Sequence, residues 1–276
     1  MGAFPASFLL LFYQVALGGM FAIAATPFHE LERGFYKSTG GVLLAIGALG
    51  FLGKADLFFE SLSDGAPPAA TVEILLYLFF IVFFALYILS LWGERVRFRA
   101  RTFALALFTG LAGLAAGTPN FYQTPFWSLE ALVYPLSFFL SALVLGGVTV
   151  GMLIGHWYLI DTGQSLDPFI RIYRFFFISL IVQAAFLLTL PVLLYLLGSP
   201  KSILRLRQFW EEHQILLWTR LLTGQVAPLI LSGMIWRTLK IPHTMAATGL
   251  FYIALLGVFV GEILGRRILA LTSLPF

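Results

Sequence analysis

Gly146-Gly147-Val148-Thr149-Val150-Gly151-Met152-Leu153-Ile154-Gly155-His156-Trp157-Tyr158-Leu159-Ile160-Asp161 closes a long apolar run that begins near Ala131. The run exceeds the ~20 residues that cross the hydrocarbon of a bilayer, so it reads as a spanning helix over 131–159. Gly147, Gly151 and Gly155 recur every fourth residue and line one stripe of that helix. In a membrane such a stripe lets another backbone or a flat ligand come close. His156, Trp157, Tyr158 and Asp161 follow where the helix reaches the interface, and they form the densest group of chemically able side chains in the sequence. The same group also reads as a packing seam capped by an aromatic belt.

Outward from this stretch the composition has the same character. Of 276 residues 60% are hydrophobic and 11% charged, against about 25% charged in ordinary globular domains. This excludes a soluble domain and makes the lipid bilayer the solvent. Long apolar runs rather than short alternating segments point to helices and not to a barrel. The net charge of +4 reads as a topology signal, not as a nucleic-acid surface. Cysteine is absent, so a disulfide framework, thiolate metal ligands and a cysteine nucleophile are excluded. The first charged residue is Glu30; without a basic leader the N-terminal run reads as a retained first helix, not a cleaved signal.

The fold class expected is an all-α integral membrane protein of about eight transmembrane helices, in one polytopic domain or two four-helix bundles. The spans are expected near 6–25, 40–59, 71–92, 102–117, 131–159, 172–197, 215–236 and 244–265. The fourth is short, Pro191 should kink the sixth, and residues 199–214 read as a short surface helix. Glu94-Arg95-Val96-Arg97-Phe98-Arg99-Ala100-Arg101 is the clearest basic run. Loops after odd-numbered helices hold Arg33, Lys37, Arg95, Arg97, Arg99, Arg101, Arg171, Arg174, Arg237 and Lys240; the other side holds Lys54, Lys201, Arg205, Arg207, Arg266 and Arg267. The positive-inside rule then puts both termini outside.

Three groups carry candidate chemistry. One joins His29, Glu30, Glu32 and Arg33 after the first helix to His156, Tyr158 and Asp161 after the fifth. A His with a carboxylate can move protons or bind a quinone carbonyl, and His29 with His156 are the alternative axial ligands for a haem b. Adjacency of the first and fifth helices is assumed in this grouping. The second group is Arg220 with Glu262, expected at similar depth on antiparallel neighbours as a structural ion pair or part of a functional path. Gly257, Gly261 and Gly265 make a second four-spaced packing stripe beside Glu262. The third is Gln14, Gln183 and Gln225, polar residues in mid-span that can bond between helices or line a cavity. No metal site, Walker loop, zincin pair or nucleophile elbow appears.

The ending Gly261-Glu262-Ile263-Leu264-Gly265-Arg266 and the opening Phe4-Pro5-Ala6-Ser7-Phe8-Leu9-Leu10-Leu11-Phe12-Tyr13-Gln14 resemble the membrane anchor subunits of the dimethyl sulfoxide reductase and polysulfide reductase type. The resemblance implies eight helices, both termini outside a bacterial-type inner membrane, bound quinone or quinol, and docking to an iron–sulfur or cytochrome subunit of a larger complex. In that family the second helix often ends in a His-Leu-Gly pattern, with the His near bound quinol. The matching place here is Phe51-Leu52-Gly53-Lys54, so Lys54, with Asp56, stands where the family's His would be. The expected function is a quinone-binding membrane subunit of an electron-transfer complex whose redox centres lie on partner chains. The alternatives are a b-type cytochrome subunit and a transporter.

Overall fold

In hydrocarbon every backbone N–H and C=O has to be satisfied within its own segment, so apolar runs of this length close into helices. The computed structural model describes residues 3–26, 28, 30–62, 68–122, 127–161 and 163–276. The described residues form helices and no strand: α1 (Ala3–Ala24), α2 (Arg33–Leu62), α3 (Pro68–Ser90), α4 (Val96–Ala116), α5 (Leu129–Ile160), α6 (Asp167–Leu197), α7 (Pro200–Glu212), α8 (Gln214–Leu221), α9 (Ala227–Lys240) and α10 (Thr244–Thr272). A π-helical turn, Leu222–Val226, joins α8 and α9 into one span. Eight spans among the described residues are long and apolar enough to cross a membrane. The chain is an all-α, multi-pass membrane protein.

The helices run past the apolar windows because they continue into the headgroup region. α2 begins at Arg33 and not near Gly40. α4 begins inside the arginine run, carries Arg97, Arg99 and Arg101 on its first turns, and at 21 residues is not the short span expected. α6 passes through Pro191 as a continuous helix, as α5 does through Pro135. A π-helical turn falls just before Pro228. The Pro228 ring has no N–H and crowds the carbonyl four residues back, at Gly224, and the wider turn relieves both defects.

The spans group as two bundles, α1 to α4 and α5 with α6, α8–α9 and α10, and α1 joins them by packing on α5 and α10. Gly18 of α1 and Gly146 of α5 meet backbone to backbone: a Cβ on Gly146 would lie 1.8 Å from the Gly18 carbonyl carbon. Gln14 Nε2 spans the same seam, donating to the Phe138 carbonyl at 2.7 Å. With eight spans the start of α1 and the end of α10 meet on one face, where Arg267 lies over the Phe4 ring at 5.6 Å. This is the terminus face; the other is the loop face.

On the terminus face α7 is pinned at both ends. Ser199 caps it, and the Glu130 carboxylate accepts from the Ser199 backbone N–H at 2.8 Å and the Ser202 hydroxyl at 2.7 Å. Further along, Phe209 stacks on Phe276 at 5.4 Å. Residues 274–276 turn back into the bundle after Ser273, whose φ of 57° is left-handed. The Tyr134 and Ser137 hydroxyls hold the Ser273 and Pro275 carbonyls.

Candidate functional site

Part of the loop-face group built around His156 lies together: Glu30 and Asp161 are within electrostatic reach of Tyr158. α1 and α5 are neighbours, and most of the side chains beyond them are engaged in local bonds. His156 is exposed, and His29 lies outside the described residues. Tyr158 is buried and donates to the Ser165 carbonyl. Asp161 accepts from Gln164 Nε2 at 2.6 Å and from the Gly163 N–H; both residues shape the turn that follows α5. Glu30 pairs with Arg171 of α6 at 2.7 Å, and Arg33 reaches the Gly93 carbonyl. Trp157 packs on Gly34 and Phe35. The described histidines, His156, His213 and His243, all sit at helix ends and none is buried; of the pair named for a haem b, His29 lies outside the described residues. Among the described residues no group of three or more His, Cys, Asp and Glu is arranged to hold a metal ion.

The first glycine stripe is filled by protein. A Cβ on Gly147 would meet the Phe176 backbone, one on Gly151 the Phe251 ring at 2.3 Å, and one on Gly155 the Thr248 hydroxyl at 2.5 Å. The stripe is where α6 and α10 seat against α5, leaving no room for a flat ligand. The second stripe seats the π turn: Gly257 faces the Thr223 carbonyl, Gly261 the Gly224 Cα and Gly265 the Arg220 guanidinium.

That seating brings Arg220 to Glu262. Arg220 Nη2 lies 3.3 Å from one carboxylate oxygen and Arg266 Nη2 lies 3.1 Å from the other. Gln183 Nε2 donates to Glu262 at 2.7 Å and to Ser141 Oγ at 3.1 Å, while Gln225 Nε2 donates to Gln183 Oε1 at 2.9 Å. The network draws a side chain from every span of the second bundle, and all six residues are buried. Its formal charge is one positive, with Arg220 Nη1, Arg266 Nε and Gln225 Oε1 unpartnered. A buried network of this kind locks the register of the helices it joins.

A second polar cluster, on the terminus face of the first bundle, is open to the outside. Lys54 of α2 pairs with Glu73 of α3 at 2.7 Å. Asn120, in the 3-10 turn Thr118–Asn120 after α4, donates to the other Glu73 oxygen at 2.8 Å. Lys54, Glu73 and Asn120 line a cavity of about 300 Å³ whose walls are otherwise mostly apolar, with Leu57, Ile74 and Leu269 among them. Behind the pair lies a slot of about 10 Å³ bounded by Tyr13 and Tyr77, on the scale of one water. Tyr13 and Tyr77 donate to the Gly110 and Gly47 carbonyls at 2.7 and 2.8 Å. Asp56 is exposed and does not line the cavity.

Glu73 and Asn120 escape the sequence reading. Glu73 stands at the edge of an apolar span, where carboxylates are commonly solvated by headgroups. The available signal was an acid on α3 and a base at the end of α2 across one short loop. Fold and site together define a polytopic helical membrane protein with a charged pocket let into its terminus face. Comparison with protein-family models, with characterised proteins and with solved structures finds no match for the chain.

Proposed function

We propose that the chain is the membrane anchor of an electron-transfer complex and binds quinone or quinol in the terminus-face cavity. The observation that carries this reading is the Lys54–Glu73–Asn120 cluster at the wall of an apolar, bilayer-level space. Ligand sites are mostly apolar clefts with a few convergent polar groups, and each hydroxyl of a quinol can donate to an acceptor or accept from a donor. Glu73 accepts from one hydroxyl. Lys54 and Asn120 hold the carboxylate in place and offer donors to the other oxygen. Lys54 also stands where the resemblance to the dimethyl sulfoxide and polysulfide reductase anchors would put a quinol-facing His.

Bound quinol would supply two electrons and two protons. Glu73 takes up one proton and returns it to water through the mouth of the cavity, and the second proton leaves to water at the same mouth. The electrons leave to an iron–sulfur or cytochrome centre on a partner chain docked at this face, since a chain without cysteine holds no cluster of its own. The test is purification of the tagged chain in mild detergent, with the co-purifying redox subunit followed optically. Quinol should reduce that centre, and Glu73→Gln should slow the reduction at least tenfold, while Asp161→Asn, on the loop face, should not. Absence of any redox partner, or equal effects of the two variants, contradicts the proposal.

A further inference from the structure

A larger groove lies elsewhere on the terminus face, between the end of α6 and α7. It encloses about 920 Å³, at the upper end of the ~300–1,000 Å³ usual for small-molecule sites. Val192, Tyr195 and Leu196 of α6 form one wall, and Ile203, Leu204 and Trp210 of α7 form the other. The charged lining is Arg207 and Glu211, an i,i+4 couple whose nitrogen and oxygen stand 4.0 Å apart with both side chains mostly exposed.

The groove is built into the fold. Glu130 fixes the turn into α7, and the opposite side of α7, Ser202 and Phe209, is buried against the bundle. α7 therefore overhangs the lipid-facing end of α6 at a set distance. An amphipathic helix held there lies at the boundary between headgroups and acyl chains. The depth of the groove is then the acyl-chain level, and its rim is the headgroup level.

We infer that this groove is a specific site for one phospholipid with a zwitterionic amine headgroup, phosphatidylethanolamine in chemical class. The acyl chains fill the apolar cleft. Arg207 takes the phosphate as a charge-assisted donor, and Glu211 takes the primary ammonium. The observation that selects this occupant is the paired rim: a cation and an anion one helical turn apart match a headgroup that carries both charges. An anionic headgroup would leave Glu211 facing like charge, and a choline headgroup offers no N–H to donate.

The test uses the full chain, delipidated and then reincubated with equimolar phosphatidylethanolamine, phosphatidylcholine and phosphatidylglycerol of the same acyl composition. Native mass spectrometry counts the lipid retained. Wild-type protein should keep one phosphatidylethanolamine at least fivefold over either competitor. Glu211→Gln should remove its advantage over phosphatidylcholine, and Arg207→Gln should lower retention of all three. Both side chains are exposed, so both variants should fold with unchanged thermal midpoints. Equal retention of the three lipids, a preference for phosphatidylglycerol, or variants that retain phosphatidylethanolamine as wild type does would each overturn the inference.

Discussion

Glu262 is gripped by two guanidinium groups and by Gln183, which Gln225 holds in turn, so its loss and the loss of one arginine are not equivalent. Removing one partner of a buried ion pair costs about 3–5 kcal/mol by stranding a charge. Arg220→Met leaves Glu262 paired with Arg266, whereas Glu262→Gln strands both cations. Glu262→Gln should therefore lower the yield of folded protein and its thermal midpoint in detergent more than Arg220→Met. Arg207→Ala, at an exposed position, should change either by little. A reversed order would show that Arg220 supports the fold without its carboxylate partner. Arg220 and Glu262 were legible in the sequence because each stands alone in an apolar span at matching depth. Arg266 was not: one turn beyond Glu262 it looks like a topology cation, and only the packing of α5, whose Phe138 ring it covers, shows that it is buried. His156, Tyr158 and Asp161 stand differently. Density along the chain suggested a site, yet Tyr158 and Asp161 bond to their own turn and His156 faces outward.

At the scale of elements, the α1–α5 seam holds the two bundles together. Because Gly146 meets Gly18 backbone to backbone, even one methyl group has nowhere to go. Gly146→Ala should abolish recovery of folded protein. Gly233→Ala on α9, with open space around it, should be neutral or stabilise by about 0.5–1 kcal/mol, the usual advantage of Ala over Gly in a helix. Thermal unfolding of the two variants side by side checks this, and a folded Gly146→Ala protein would mean that the seam is looser than described. The spans themselves were legible, since length and hydropathy decide them. Their ends were not, because helices outlast the hydrocarbon. The π turn was hidden too: Pro228 predicts an irregularity, but its form depends on Gly224 having to lie on Gly261.

At the scale of the whole molecule the two faces differ in their Lys and Arg content. Of the terminus-face cations Lys54 pairs with Glu73, Arg207 with Glu211 and Arg266 lies in the buried network; on the loop face Arg171 pairs with Glu30, and the longer basic series lies there. The positive-inside rule then predicts a cytoplasmic loop face and an outward terminus face. Reporter fusions after Phe276 and within Arg95–Arg101 should read outside and inside respectively; the opposite pattern would place the cavity and any partner that docks there on the cytoplasmic side. The central claim, that the terminus-face cavity holds quinone, is tested most directly by the quinone extracted per mole of purified protein. Wild type should carry about one equivalent above the level in the surrounding detergent–lipid, and a Lys54→Met, Glu73→Gln double variant of equal stability should carry none. Equal quinone content in the two proteins, or no enrichment in the wild type, would contradict it.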